Sequence, residues 1–206
     1  MTAGLLLAAA LAARAHALSP MGREAADTLK ALVRVDTTNP PGGEAGAAAV
    51  LAGVLAKAGV PYEVVESSPG RANLVARLKG DGSRRPLLLL AHLDVVGAEA
   101  ARWSFPPFAG DEVDGAVRGR GSVDDKSMAA AFAAVMADLA RRKVPLKRDV
   151  VFAATADEES GGALGVRWLL EHRPALLDAE LALNEGGTTF SVGGKVRAVA
   201  VQVAEK

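Results

Sequence analysis

Side chains that can hold metal ions or move protons form four clusters, each after a predicted strand or in the loop just beyond one. They are His92 with Asp94, Asp124 with Asp125, Glu158 with Glu159, and Glu185. If the strands are parallel neighbours, the clusters meet at one rim of a sheet, where open α/β sheets bind ligands. So many converging carboxylates would repel one another unless cations lay between them. The spacing therefore favours a site for divalent metal ions.

Each cluster alone has an ordinary explanation. A single His-x-Asp is most often a hydrogen-bonded pair, and residues 184–187 would pass as a turn. Residues 122–125 and 155–158 resemble capping boxes, and acidic residues favour helix amino termini in any case. Only the joint occurrence of the clusters, in this order and at strand ends, favours the metal site over these alternatives.

Composition narrows the chemistry further. The 206 residues contain no cysteine, which excludes disulfides, thiolate ligands and a cysteine nucleophile. Any metal must then be held by histidine and carboxylates, which suits zinc, with cobalt or manganese as alternatives. The 24 basic residues balance the 24 acidic ones. No basic stripe is evident, so we expect no nucleic-acid partner.

The elements that must position these side chains alternate along the chain. Helical periodicity predicts helices over residues 23–35, 44–58, 128–139 and 164–170. Strands are predicted over residues 62–65, 73–78, 87–90, 150–154, 181–183 and 196–203, and residues 97–115 are predicted to be a loop. Strands that are apolar throughout and are separated by helices predict an α/β fold, a three-layer helix–sheet–helix sandwich with a mostly parallel central sheet.

The first seventeen residues differ from the rest. Residues 4–13 are an uninterrupted apolar run, too short to span a bilayer, and Ala15-His16-Ala17 follows as a small-x-small pattern. We predict a signal peptide over residues 1–17, cleaved after Ala17, and a secreted or periplasmic protein with no membrane span. The alternative is an Ala-rich first helix in a cytoplasmic protein.

The clusters resemble the aminoacylase, acetylornithine deacetylase and glutamate carboxypeptidase family of zinc metallopeptidases, family twenty of that class. The resemblance runs from about Asp27 to the last residue. The stretches that carry it are residues 35–41 (VDTTNPP), 91–96 (AHLDVV), 103–108 (WSFPPF), 119–126 (GRGSVDDK), 157–161 (DEESG) and 184–187 (NEGG). Such a set is highly specific, and it implies a zinc-exopeptidase-like fold.

The resemblance also implies the metal ligands. Two divalent ions, most commonly zinc, would be bound in one cleft. His92 and Glu185 would bind the first ion, Glu159 would bind the second, and Asp124 would bridge both. The family places a cis peptide bond between this aspartate and the next, here Asp125.

The same resemblance assigns the catalytic roles. Asp94 would fix the tautomer of the metal-binding histidine, and Glu158 would remain unligated as the general base. The reaction would be hydrolysis of an amide or peptide bond, of the carboxypeptidase, dipeptidase or N-acyl-amino-acid hydrolase type. The substrate would be a small peptide or an N-acyl amino acid.

One ligand of the family pattern is missing. The second ion needs a late histidine, whereas the three histidines here are His16, His92 and His172. His172 lies at a predicted helix end, where a histidine favours the negative end of the helix dipole. We therefore expect an intact first site (His92, Asp124 and Glu185) and little turnover by the chain alone.

Residues 18–206 are accordingly predicted to be the amino-terminal part of the catalytic domain, incomplete at the carboxyl end. The lid and dimerisation domain and the final catalytic segment are expected to be absent, and a homodimer is expected only where that lid is present. The alternative function is a truncated, non-catalytic metal-binding or interaction module of the same fold. No Gly-x-Ser-x-Gly elbow and no complete dinucleotide loop occurs, which argues against a serine hydrolase and a nucleotide-binding protein.

Overall fold

A computed structural model of the chain describes residues 18–186 and 188–200. The predicted signal peptide (residues 1–17, including His16) and the end of the last predicted strand (residues 201–203) lie outside the described residues. The helices are α1 (Pro20–Val33), α2 (Glu44–Lys57), α3 (Lys126–Arg141) and α4 (Val166–His172). The strands are β1 (Tyr62–Ser68), β2 (Arg71–Leu78), β3 (Leu87–His92), β4 (Asp111–Val113), β5 (Ala116–Arg118), β6 (Val150–Thr155), β7 (Leu181–Leu183), β8 (Thr188–Val192) and β9 (Lys195–Ala200).

Five strands form one mixed sheet in the order β1-β2-β6-β3-β7. Strand β2 is antiparallel to both of its neighbours, β1 and β6, whereas β3 is parallel to β6 and to β7. All strands of this sheet except β2 therefore point the same way, and the predicted mostly parallel sheet is confirmed. Strands β3, β6 and β7 consequently end at the same edge.

Helices cover both faces of the sheet. Alternate residues of β6 face opposite sides: Phe152 belongs to the core cluster that contains residues of α1, α2 and α3. Val151 belongs to a second cluster, with Leu169 of α4. Every residue of β6 is buried. This burial on both faces is the reason the strand reads as a continuous apolar run, and it confirms the three-layer α/β fold.

Two short hairpins were not predicted from the sequence. Strands β4 and β5 form one of them, and β4 lies inside the segment predicted to be a loop; strands β8 and β9 form the other. Each turn carries two residues with positive φ, at Asp114 and Gly115 (52° and 78°) and at Gly193 and Gly194 (58° and 72°). Asp-Gly and Gly-Gly are the preferred two-residue hairpin turns, so the signal was present in the sequence. A 3-10 turn (Ala100–Arg102) also lies within the predicted loop.

Asp149 ties the amino end of β6 to the end of β2. Its carboxylate accepts hydrogen bonds from Lys79 Nζ (2.8 Å), the Gly80 backbone N–H (2.9 Å) and Arg77 Nη1 (3.1 Å). Burial disfavours the charged carboxylate, but these donors outweigh it and lower the pKa of Asp149 to about 2. The ionised form therefore stabilises the fold.

Replacing Asp149 by Asn is expected to lower the free energy of unfolding at pH 7 by about 1–3 kcal/mol, because charge-assisted hydrogen bonds are lost. Since the pKa of Asp149 lies below its ordinary value of 3.8, this stabilisation is complete above that pH and is lost as the pH falls toward 2. Urea denaturation of both proteins from pH 7 to pH 2.5 measures the difference.

The matched control is Asp178→Asn, since Asp178 pairs with Arg85 but its side chain is 71% exposed. This change is expected to alter the free energy of unfolding by less than about 0.5 kcal/mol. A difference between the wild type and Asp149→Asn that stays constant down to pH 2.5 would contradict the assignment.

Candidate metal centre

The parallel strands bring the predicted site residues to one edge of the sheet. His92 is the last residue of β3 and lies opposite Thr155, the last residue of β6. Glu158 and Glu159 begin the 3-10 turn after β6, and Glu185 follows β7 by two residues. Asp124 comes from the loop that leads into α3. The convergence expected from the strand ends is thus present in the structure.

Three of the predicted ligands form one compact group. One ligand atom from each of His92, Asp124 and Glu185 lies within 4.8 Å of the others. His92 Nε2 is 3.0 Å from Asp124 Oδ1 and 3.5 Å from Glu185 Oε1. These three residues are the set that the resemblance implies for the first ion.

Asp94 orients the imidazole of His92. The ring Nδ1 lies 2.9 Å from the backbone carbonyl oxygen of Asp94 and 3.3 Å from its Oδ1. A proton on Nδ1 donated to these oxygens leaves the lone pair of Nε2 directed at Asp124 and Glu185. The arrangement is the one that a metal-binding histidine requires.

The carboxylate of Asp94 also holds the turn after β6. It accepts hydrogen bonds from the backbone N–H groups of Glu158 (3.0 Å) and Glu159 (3.1 Å) and from Asn39 Nδ2 (2.8 Å). Burial raises its pKa, but His92 and these donors overcome that effect and lower the pKa of Asp94 below its usual value. Asp94 thus contacts both His92, the predicted ligand of the first ion, and the backbone that carries the predicted base.

The electrostatics of the group fit a bound cation. Burial disfavours a charged His92, but the hydrogen bond and charge of Asp94, the charge of Glu185 and the hydrogen bond to Asp124 raise its pKa to about 10. Burial, followed by the charge of Asp124, raises the pKa of Glu159; burial and the charges of Asp124 and Glu158 do the same for Glu185. One imidazole nitrogen and several carboxylate oxygens are ligands that zinc accepts. The residues therefore fit a divalent metal ion.

The other predicted residues lie around this group. Glu158 Oε2 is 4.0 Å from His92 Nε2, and 55% of the Glu158 side chain is exposed. Glu159 does not belong to the group of three ligand atoms. His172 stacks on Trp168 with ring centroids 4.5 Å apart, and its Nδ1 lies 3.0 Å from the Trp168 carbonyl oxygen. His172 therefore has a structural explanation within α4.

Two further residues lie beside the site; the sequence paired Asp125 with Asp124 but gave no role to Lys126. Asp125 is buried and accepts a hydrogen bond from the His92 backbone N–H (3.2 Å), and burial raises its pKa to about 7. Lys126 is fully buried, donates to the carbonyl oxygens of Leu32 (3.1 Å) and Val35 (2.7 Å), and has its pKa lowered by burial to about 8. The peptide bond between Asp124 and Asp125 is cis, as the resemblance implies. The pattern Asp-Asp-Lys was the only sequence signal for these contacts.

Comparison with known proteins finds one matching family and several related proteins. The sequence profile described as Peptidase family M20/M25/M40 matches residues 88–204. A succinyl-diaminopimelate desuccinylase of Paracoccus denitrificans (strain Pd 1222) is 39% identical over 141 residues, which are 68% of this chain and 36% of that protein. The human N-fatty-acyl-amino acid synthase/hydrolase PM20D1 is 36% identical over 136 residues, 65% of this chain and 26% of that protein. The chain thus spans about a third of the length of the curated relatives it matches.

Solved structures share the fold. The M20 family metallo-carboxypeptidase Sso-CP2 from Sulfolobus solfataricus superposes with a TM-score of 0.67 at 20% identity, over 82% of this chain and 38% of that one. Human carnosine dipeptidase 1 superposes with a TM-score of 0.59 at 24% identity, over 72% of this chain and 35% of that one.

We expect the purified chain to bind one Zn²⁺ ion tightly, and we expect His92→Ala to weaken this binding by at least about 100-fold, because it removes the only nitrogen ligand of the group. Calorimetric titration at neutral pH measures both the number of ions and their affinity. The control is His172→Ala, which alters a histidine outside the group and should bind zinc like the wild type. Tight zinc binding by His92→Ala would refute the site.

Proposed function

The chain belongs to peptidase family M20/M25/M40, and we propose that it forms the metal-holding catalytic part of a hydrolase that cleaves amide or peptide bonds. The observation that carries the proposal is the group of His92, Asp124 and Glu185 ligand atoms, all within 4.8 Å of one another at the shared edge of β3 and β7. The side chain of Asp124 is 64% exposed, so the group is open to a substrate.

The group and the neighbouring Glu159 together offer ligands for two ions. We assign His92, Asp124 and Glu185 to a first ion, and Asp124 with Glu159 to a second. Such ions, when bound, lower the pKa of a water molecule and polarise the carbonyl of the scissile bond. Zinc is the ion that we propose, with cobalt and manganese as alternatives. Asp94 contributes by holding the His92 ring in the orientation that leaves Nε2 free to bind.

Glu158 is the general base in this proposal. Its backbone N–H is fixed by Asp94 while its exposed carboxylate reaches to 4.0 Å from His92 Nε2. It therefore lies where it can take a proton from water and return that proton to the leaving nitrogen. A cleft of about 390 Å³ adjoins it, lined in part by His92, Asn184 and Glu185. This cleft is large enough for one small substrate.

The substrate that we propose is a small peptide or an N-acyl amino acid. The names of the related proteins describe a desuccinylase, an N-fatty-acyl-amino acid hydrolase and a carnosine dipeptidase. Desuccinylation, deacylation and dipeptide cleavage all break an amide bond beside an amino acid. The carboxypeptidase and N-acyl-amino-acid hydrolase types suit this range of substrates.

The zinc-loaded chain is expected to release product from N-succinyl, N-acyl or dipeptide substrates, detected by mass spectrometry. Turnover is expected to be low, since among the described residues we assign only Asp124 and Glu159 to the second ion. Glu158→Gln should lower the rate by about 10²–10⁴-fold, because it removes the base. Zinc binding should be unchanged, since Glu158 is not a ligand in this proposal.

Glu171→Gln is the matched control, because it makes the same chemical change on α4, away from the site, and should leave the rate unaltered. A rate that is equal in the wild type and in Glu158→Gln would show that Glu158 is not the base. Tight zinc binding with no hydrolysis of any of these substrates would instead favour the second candidate, a non-catalytic metal-binding module. The observation that favours that candidate is that, among the described residues, Glu159 lies outside the group of three ligand atoms.

Export of the protein is part of the proposal and rests on the apolar run over residues 4–13 and the small residues around His16. The expected result is cleavage after Ala17 when the chain is expressed in a secreting bacterial host. Mass spectrometry of the intact product would then show Leu18 as the first residue. A cytoplasmic product that retains residues 1–17 would contradict export.

Among the residues that the structure describes, no helix combines the length and apolarity needed to cross a bilayer.

A further inference from the structure

A network of buried charged and polar side chains lies directly behind the Glu158–Glu159 turn. Its members are Glu44 at the start of α2, Arg71 at the start of β2, Asp157 just after β6, and Asn39 in the loop after α1. Each of the four is at most 9% exposed. Such residues are rarely buried without a specific set of partners, and none of them belongs to the metal-binding group.

Arg71 is the centre of this buried network. Its Nε donates to Glu44 Oε2 (2.7 Å) and its Nη2 to Glu44 Oε1 (2.8 Å), which is a bidentate pair. The same Nη2 also donates to Asp157 Oδ1 (3.0 Å). One guanidinium group therefore binds both a carboxylate on α2 and a second carboxylate beside the turn.

Asp157 is held from several directions. Its Oδ1 also accepts from Asn39 Nδ2 (3.0 Å), its Oδ2 accepts from the Leu164 backbone N–H (3.1 Å), and its own N–H donates to Glu44 Oε1 (3.3 Å). Its φ is 69°, the left-handed region that non-glycine residues seldom adopt. That conformation redirects the chain immediately before Glu158, and the contacts of Asp157 maintain it.

Asn39 joins this buried network to the metal group, which is the metal-binding group of His92, Asp124 and Glu185. Its amide nitrogen donates both to Asp157 Oδ1 and to Asp94 Oδ2 (2.8 Å). Asp94 in turn binds the backbone N–H groups of Glu158 and Glu159. The turn is therefore fixed from both sides, through its preceding residue and through its own amide groups.

We propose that Arg71 and Glu44 are positioning residues, which set the direction of the Glu158–Glu159 turn through Asp157. The proposal builds on the function proposed above, since that function assigns Glu158 as the base and Glu159 as a ligand. Loss of the guanidinium would leave two buried carboxylates facing each other without a cation. Asp157 would then move away from Glu44, and the turn would lose its left-handed start.

The chain contains a matched control for this proposal. Arg77 lies near the other end of β2 and binds Asp149, which directly precedes β6, at 3.1 Å. Both arginines thus join β2 to a chain end of β6, but only Arg71 lies at the edge of the sheet that carries the metal group. If Arg71 contributed only to the overall stability of the sheet, Arg71→Gln and Arg77→Gln would have the same effect on the amide protection of the Glu158–Glu159 turn.

Amide hydrogen exchange of the metal-free chain, followed residue by residue by NMR, tests the proposal. Arg71→Gln should lower the protection of the Glu158, Glu159 and Leu164 amides at least about 10-fold relative to the protection of central β3 amides. Arg77→Gln should either lower the protection of both sets of amides to the same extent or leave the protection of both unchanged. Because no ion and no substrate is present, the result is independent of whether the chain hydrolyses amides.

Zinc affinity is the second readout. Arg71→Gln should weaken zinc binding about 10-fold, because Asp94 loses the alignment with which it orients His92, whereas Arg77→Gln should stay within about 2-fold of the wild type. Arg71→Lys should restore little, since an ammonium cannot make the bidentate contact and the third bond together. If Arg71→Gln does not fold, Glu44→Gln tests the same contacts and should show the same local loss of protection.

The proposal is overturned if Arg71→Gln leaves the Glu158 and Glu159 amides as protected, relative to β3, as they are in the wild type. It is also overturned if Arg77→Gln causes the same local loss. Absence of hydrolysis together with the expected exchange pattern would count against the proposed function alone.

Discussion

Electrostatic repulsion at the carboxyl edge of β3, β6 and β7 is the constraint on which the rest of the structure depends. Parallel strands that end together deliver His92, Glu158 and Glu185 to one place, and the loop before α3 adds Asp124. The hydrogen bond and charge of Asp94, the charge of Glu185 and the hydrogen bond to Asp124 raise the pKa of His92 to about 10 despite its burial, because carboxylates this close favour a bound proton or a cation. A divalent ion would satisfy the same demand, since His92, Asp124 and Glu185 already lie together.

Sequence patterns predicted the parts of the fold that depend on burial. Strands β3 and β6 were found as apolar runs because both of their faces are covered, and the rule that ligands gather at strand ends predicted where the site lies. The individual ligands were implied by the family resemblance. The hairpin of β4 and β5 was missed, since three-residue strands are too short to show a two-residue period. Its Asp114-Gly115 turn was the better signal, and a two-residue positive-φ turn predicts a hairpin irrespective of strand length.

The contacts behind the metal group were beyond the reach of sequence patterns. Glu44 and Arg71 are 27 residues apart, and Arg71 and Asp157 are 86 residues apart. Charged residues are mostly exposed, so Glu44 at a helix start and Arg71 at a strand start each had an ordinary surface explanation. Only the antiparallel pairing of β2 with β6 brings the start of one strand to the end of the other. Tertiary topology, rather than local propensity, makes these residues partners.

Arginine–carboxylate pairs lie at both ends of β2, but they differ in burial and in what they position. At one end, Arg77 of β2 pairs with Asp149, which directly precedes β6, and the exposed Lys79 binds the same carboxylate. At the other end, Arg71 lies between Glu44 and Asp157, both almost wholly buried. A buried ion pair adds little stability over an apolar replacement, but it fixes geometry strictly, because displaced partners remain unpaired in a medium of low dielectric. Such strict geometry is useful beside the metal group, where Asp94 must hold both the His92 ring and the backbone of the adjacent turn.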